Sequence, residues 1–228
     1  PMSLEEIAQA VQGRLVAGTA AANTPVATSG FTDSRQIVEG SVFIAIAGER
    51  VDGHDYVPHV GAQGAVAAIV DHEIADAGVP QIVVEDTVLA LGLLAKHNIE
   101  RRRALGTPFT VVGITGSVGK TTTKDMVAAV LGEKYNVLKT DGNFNNNIGL
   151  PMTILRLNHT HQIAVMEMGM NHLGEIDYLT KIARPDVALI TNIGDAHIEN
   201  LGSRENTLKA KSEIFHGMTT EGRAVLNG

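Results

Sequence analysis

Gly113-Ile-Thr-Gly-Ser-Val-Gly-Lys-Thr121 follows an apolar, β-rich run over residues 109–115 and opens into a helical pattern over 122–133, so it reads as strand, glycine turn and helix. Gly116 and Gly119 remove the Cβ that would keep backbone N–H groups from turning toward an anion, and the helix that follows adds its positive dipole end. Gly116, Ser117, Val118, Gly119, Lys120, Thr121 and Thr122 therefore form a candidate phosphate cradle. Lys120 is placed to reach the β- and γ-phosphates, and Thr121 to offer its hydroxyl to Mg²⁺. The usual pattern has its first glycine at the position of Ile114; here it stands one step further out, at Gly113. No Asn-Lys-x-Asp run for guanine is present, which favours ATP over a GTPase switch.

On the carboxyl side, β-rich runs at 135–139, 162–168, 186–192 and 223–227 alternate with helical stretches near 173–182 and 203–217. This alternation predicts an α/β fold, a parallel sheet covered by helices, with ligands at the carboxyl ends of the strands. Polar residues gather at those ends: 115–121, Glu167, and 192–197. A carboxylate ending an apolar strand is costly unless it meets a cation, so Glu167 is a candidate Mg²⁺ ligand, the alternative being a salt-bridged surface carboxylate. His197 alone does not separate a ligand from a structural histidine. In the loop 141–151, Asn143, Asn145, Asn146 and Asn147 either orient a substrate carboxylate or phosphate, or simply form turns.

On the amino side, Asp86 opens a helical pattern through Leu89, Leu93, Leu94 and His97 to Arg101, Arg102 and Arg103, a solvated cationic helix end. Further back, Ser3 and Glu6 make a capping box for a short helix with apolar residues at 4, 7, 8 and 11. A turn over 28–35, a strand over 40–46, a polar loop at 52–55 before a helix reaching 62, and strands at 65–70 and 81–84 follow. Residues 1–84 thus read as a small α/β domain and 85–228 as a P-loop domain. By residue type alone, Asp33-Ser34-Arg35 and Asp52-Gly53-His54 are either surface turns or part of a binding site, and nothing in their spacing names a ligand.

The 228 residues carry a net charge of −7 and no cysteine. The acidic balance argues against a nucleic-acid surface, and the lack of thiols excludes disulfides and thiolate metal sites. No apolar run approaches a membrane span. A cytoplasmic monomer is expected.

Five runs in this order, residues 115–121, the loop ending Ile148-Gly149-Leu150-Pro151, residues 166–176, residues 191–197 and residues 210–215, resemble the Mur ligases, the ATP-dependent amide ligases of bacterial peptidoglycan synthesis. Runs 142–151 and 166–176 are similar to the branch that joins D-alanyl-D-alanine to a UDP-N-acetylmuramoyl-tripeptide. A sister ligase adding diaminopimelate or lysine, and a non-catalytic ATP-binding module, are the alternatives. The resemblance implies roles in cell-wall synthesis, cell shape and cell division, with ATP and two Mg²⁺ ions. It makes Lys120 the phosphate-holding lysine, Thr121 and Glu167 ligands of the first Mg²⁺, His197 a ligand of the second, and Lys211 the lysine that becomes carbamylated in many members. It also makes the first domain a binder of the UDP end, with Ser34, Arg35, Asp52, Gly53 and His54 at matching positions. Members of the family continue through the rest of the central domain into a third domain that closes over ATP. Neither follows residues 225–227 here, so a fragment inactive on its own is expected.

Overall fold

The structure, a computed structural model, describes residues 1–16, 26–194 and 198–227. The chain divides into two compact units, Pro1–Leu94 and Ala95–Gly228.

In the first unit, β1 (Met2–Ser3) leads into α1 (Leu4–Ala10), whose start is fixed by the Ser3 hydroxyl accepting the Glu6 N–H at 3.1 Å. Then come β2 (Arg14–Val16), β3 (Val26–Ala27), β4 (Ser29–Phe31), β5 (Ser41–Ile44), α2 (Val57–Val60), β6 (Ala65–Val70) and β7 (Gln81–Val83). The sheet order is β2-β7-β6-β5-β4, parallel except for the β2–β7 pair, and β1 pairs with β3 separately. Val57 and Val60 of α2 pack on Phe43, Ala45, Ala68 and Val70, a core the continuous apolar runs of β5 and β6 foretell. The stretch expected as a turn over 28–35 contains β4, because Ser29, Gly30 and Phe31 align in parallel with Ser41, Val42 and Phe43.

α3 (Thr87–Ala104) runs through the division between the units. Asp86 Oδ1 accepts the N–H groups of Val88 and Leu89, which sets its first turn. Its arginine end is not solvated as expected. Arg102 is buried, donates to the carbonyls of His161, Thr107 and Pro108, and lies over the Phe109 ring; Arg103 donates to Asp186 and the Arg184 carbonyl. The guanidiniums satisfy chain ends at the amino edge of the second sheet.

The second unit continues with β8 (Thr110–Thr115), α4 (Lys120–Gly132), β9 (Val137–Lys139), α5 (Gly149–Leu155), β10 (Ile163–Glu167), α6 (Glu175–Ala183), β11 (Val187–Ile190), α7 (Ile198–Leu201), α8 (Arg204–Ser212) and β12 (Arg223–Leu226). Its all-parallel sheet has the order β12-β11-β8-β10-β9. Val112 and Ile114 of β8 face Ala128 of α4, whereas Val111 joins Ala164, Met166 and Ala188 against α3, α5 and α6. Period-two alternation thus places helices on both faces. Gly113 lies on the second face, where a Cβ would come within 3.2–3.4 Å of Met168, Pro185 and Ile214. The displaced glycine of the motif therefore serves close packing under the strand. After β9 and β10 are laid on one side of β8, the chain crosses to build β11 and β12 on the other, a switch point of the kind where α/β sheets bind ligands. No helix of the described residues is long and apolar enough to cross a membrane.

Candidate active site

The carboxyl ends of three adjacent strands, β10, β8 and β11, converge at this switch point. Glu167 ends β10 in register with Ile114, and Ile190 of β11 pairs with Thr115. The cradle turns sharply at Gly116, where a Cβ would fall 1.8 Å from Thr191 Oγ1, so no other residue fits. Gly119 then adopts a left-handed conformation (φ 83°) at the N-cap of α4, with no side chain capping the helix. The first amides of α4, Lys120 to Thr122, are therefore left for an anion. Earlier in the loop, the Ser117 and Val118 N–H groups donate to Asn192 Oδ1 at 3.1 and 2.9 Å, and Thr191 Oγ1 donates to the Val118 carbonyl at 2.8 Å. Residues after β11 thus brace the cradle from the neighbouring strand.

Lys120 folds back, its Nζ donating to the Gly116 carbonyl at 2.9 Å. Burial lowers its pKa, opposed by the Glu167 carboxylate. Thr121 Oγ1 lies 3.1 Å from each Glu167 oxygen and donates to the carboxylate, which is 1 % exposed. A hydroxyl and a carboxylate facing each other beside an uncapped helix end are hard oxygen donors suited to Mg²⁺. Glu167 is held further by the Asn145 amide, 3.1 Å from Oε1, and its own N–H donates to Thr140 Oγ1 at 3.0 Å.

Lys211 lies in the last turn of α8 and is 1 % exposed. Burial, and then the charge of Lys120, push its pKa down to about 8. Just beyond it, the Glu213 carboxylate accepts the N–H of Gly174 at 2.9 Å and that of Asp177 at 3.3 Å, tying the end of α8 to the start of α6. Lys120, Glu167 and Lys211 therefore share one electrostatic neighbourhood. His197 lies outside the described residues.

The asparagine loop turns inward. Asn145 donates to Glu167 and its carbonyl accepts the Gly169 N–H at 2.9 Å, while Asn146 Oδ1 accepts the N–H groups of Ile148 and Gly149 and sets the start of α5. Sequence reasoning missed Lys124, Thr140 and the bracing role of Asn192. Lys124 was within reach, since it follows Thr121 by three residues and shares its face of α4. It is wholly buried, with Nζ 2.9 Å from the Gly142 carbonyl and 3.9 Å from Glu167 Oε2.

In the first unit, Ser34 and Arg35 begin a 3-10 turn capped by Asp33, and the exposed Arg35 guanidinium pairs with Asp33 at 2.8 Å. That bonding holds the Asp33 carboxyl below its usual pKa. Asp52 caps the next 3-10 turn, its pKa lowered by the backbone and ring N–H groups of His54. His54 is itself buried. Its Nε2 lies 3.1 Å from both the backbone nitrogen and Oδ1 of Asp71, and its Nδ1 lies 2.7 Å from Asp52 Oδ1. His54, Asp71 and His72 bring ligand atoms within 4.8 Å of one another. A close backbone approach explains Gly53, whose Cβ would meet Ile46 N at 2.7 Å.

Comparison with known proteins agrees with this arrangement. The Mur ligase middle domain matches residues 114–228, and the Mur ligase family catalytic domain matches 31–99. UDP-N-acetylmuramoyl-tripeptide--D-alanyl-D-alanine ligase of Haemophilus influenzae is 44% identical over 99% of the chain and 48% of its own length; that of Bacillus subtilis is 47% identical over 86% of the chain and 42% of its own. The crystal structure of MurF from Acinetobacter baumannii superposes with a TM-score of 0.88 at 42% identity, covering 99% of this chain and 48% of that one. The Thermotoga maritima MurF ligase in complex with ADP gives 0.78 at 38% identity, covering 87% and 45%. The chain spans about half the length of these relatives. With the phosphate cradle, the Thr121–Glu167 pair and the buried Lys211 all falling within the matched middle domain, the chain belongs to the Mur ligase family.

Proposed function

We propose that this chain supplies two domains, residues 1–84 for the UDP end of the substrate and 85–228 for ATP, of a cytoplasmic, monomeric ligase that joins D-alanyl-D-alanine to a UDP-N-acetylmuramoyl-tripeptide. The observation that carries this reading is the Thr121–Glu167 pair beside the uncapped start of α4, with Lys120 and Lys211 in the same charge field. The relatives named for that reaction support the choice of substrates.

Amide formation from a carboxylate needs a better leaving group than oxide. The tripeptide carboxylate oxygen attacks the γ-phosphorus of ATP, the bond to the β-phosphate oxygen breaks, and an acyl phosphate and ADP result. The uncharged amino group of the dipeptide then attacks the acyl carbon, loses a proton, and phosphate departs with the C–O bonding pair. Lys120, leaving the Gly116 carbonyl, and the amides of residues 119–122 hold charge spreading over the transferring group, where positioning and electrostatics do most of the work. Thr121 and Glu167 would hold one Mg²⁺, and His197 with a carbamylated Lys211 a second. Bound there, the ions neutralise charge on the phosphate oxygens. The pKa of about 8 at Lys211 leaves a fraction of neutral amine near neutrality, the form whose nitrogen adds to CO₂ and then releases a proton to solvent, giving an anionic carbamate. Ser34, Arg35 and the Asp52-Gly53-His54 loop bind the UDP end. Arg35 is the exposed cation there, and the buried His54 acts by shaping the loop.

The test is phosphate release by the full-length protein. Release requiring ATP, UDP-N-acetylmuramoyl-tripeptide and D-alanyl-D-alanine together is expected. Release with diaminopimelate or lysine and a dipeptide precursor instead would move the protein to a sister branch, and ATP binding with no ligation at all would make it a non-catalytic module.

A further inference from the structure

Lys124 has no part in the chemistry just outlined, yet it is among the largest fully buried side chains. Its stem runs from α4 beside Thr121, and its ammonium meets three groups: the Gly142 carbonyl at 2.9 Å, Asp125 Oδ1 at 3.4 Å and Glu167 Oε2 at 3.9 Å. Asp125 is half exposed and already bound to Lys139 at 2.7 Å. Glu167, 1 % exposed, is the buried carboxylate that needs this cation. Thr121 and Asn145 give it hydrogen bonds but no charge. Lys120 lends some positive potential, but it is only partly buried and its ammonium is bonded to the Gly116 carbonyl of the cradle at 2.9 Å. Lys124, bonded to the Gly142 carbonyl at the same distance, is sealed from water beside Glu167.

We propose that Lys124 is a stand-in cation, a positioning residue that neutralises Glu167 and pins the asparagine loop while the site is free of metal, and against whose charge Mg²⁺ must bind. This rests on the reading of Glu167 as a metal ligand. The design lets the three strand ends assemble before any nucleotide arrives, because a buried carboxylate without a counter-ion would oppose folding. It also weakens Mg²⁺ binding, since a fixed positive charge repels a divalent ion a few ångströms away.

The experiment is thermal unfolding of the full-length protein and K124M, in EDTA and over an Mg²⁺ titration at fixed ADP. In EDTA, K124M should melt lower by about 5 °C or more. Mg²⁺ with ADP should raise the melting temperature of K124M further than that of the parent, with an Mg²⁺ midpoint about tenfold lower. An equal loss of melting temperature with and without Mg²⁺ and ADP, together with an unchanged midpoint, would overturn the proposal. Should K124M not fold, the double variant K124M/E167Q keeps the question open to decision in EDTA. Paired charges require it to melt higher than either single variant, whereas additive losses overturn the pairing. If the parent protein itself shows no response to Mg²⁺ and ADP, the assignment of the nucleotide site fails, and the double-variant comparison still decides whether Lys124 balances Glu167.

Discussion

Replacing Lys211 by methionine puts a number on the electrostatics of the site. The Lys211 ammonium is 1 % exposed, and burial with the charge of Lys120 takes its pKa from 10.5 to about 8. That difference corresponds to roughly 3 kcal/mol by which the folded protein disfavours the proton. Below about pH 8 the lysine is protonated in both folded and unfolded chains, and the whole cost is present. Between about pH 8 and 10.5 the folded protein has released a proton that the unfolded chain still holds, so stability rises with pH; above that range the cost is gone. Methionine keeps most of the stem's volume and removes the charge. In metal-free, CO₂-free buffer, K211M should therefore be more stable than the parent by up to roughly 3 kcal/mol near pH 7, with the gap closing toward pH 10.5. Urea unfolding at a series of pH values, compared between the two proteins, measures it. A gap that does not change with pH would refute the reasoning, because it would mean that the Lys211 ammonium suffers no desolvation and is no readier than a surface lysine to react with CO₂.

Three further outcomes are expected. Gly116→Ala places a methyl 1.8 Å from Thr191 Oγ1 and should cost about 2 kcal/mol or more in urea unfolding, with ADP affinity by calorimetry falling at least about tenfold. Asn146→Ala removes the acceptor of two N–H groups at the start of α5, so stability should drop by about 1 kcal/mol while ADP affinity stays within about twofold; a large loss of affinity would show that Asn146 meets ligand directly. Arg35→Ala breaks only an exposed pair with Asp33, so the urea unfolding midpoint should not shift, whereas affinity for the UDP-sugar peptide should fall about tenfold by calorimetry.

The second unit was legible because its signals are local. The strands expected at 109–115, 135–139, 162–168, 186–192 and 223–227 appear as β8 to β12 with trimmed ends, and in the first unit Ser3 caps α1 through the Glu6 N–H. Sheet order was not legible, since nothing local tells β9 to lie at an edge and β8 at the centre; pairing is decided by which faces the helices cover. Around the site, Lys120, Thr121 and Glu167 were singled out because polar residues at strand and helix ends stand out against apolar runs, whereas Lys211 was singled out only by the family resemblance. Lys124 escaped because a lysine within a helix looks like a solvated one until the loop ending at Gly142 folds over it. The asparagines were ambiguous for a similar reason: Asn145 and Asn146 spend their amides on this chain's own groups, a choice that depends on partners distant in sequence.

The brace on the phosphate cradle reaches across the sheet, from Ser117 to Asn192, 75 residues apart. During synthesis the cradle therefore leaves the ribosome long before its support does, and the amides of Ser117 and Val118 wait until β11 docks beside β8. The finished geometry of the cradle is consequently acquired late, in a step governed by closure of a long loop rather than by the helix beside it. A nascent chain halted between β10 and β11 would carry the whole glycine motif and still lack its brace.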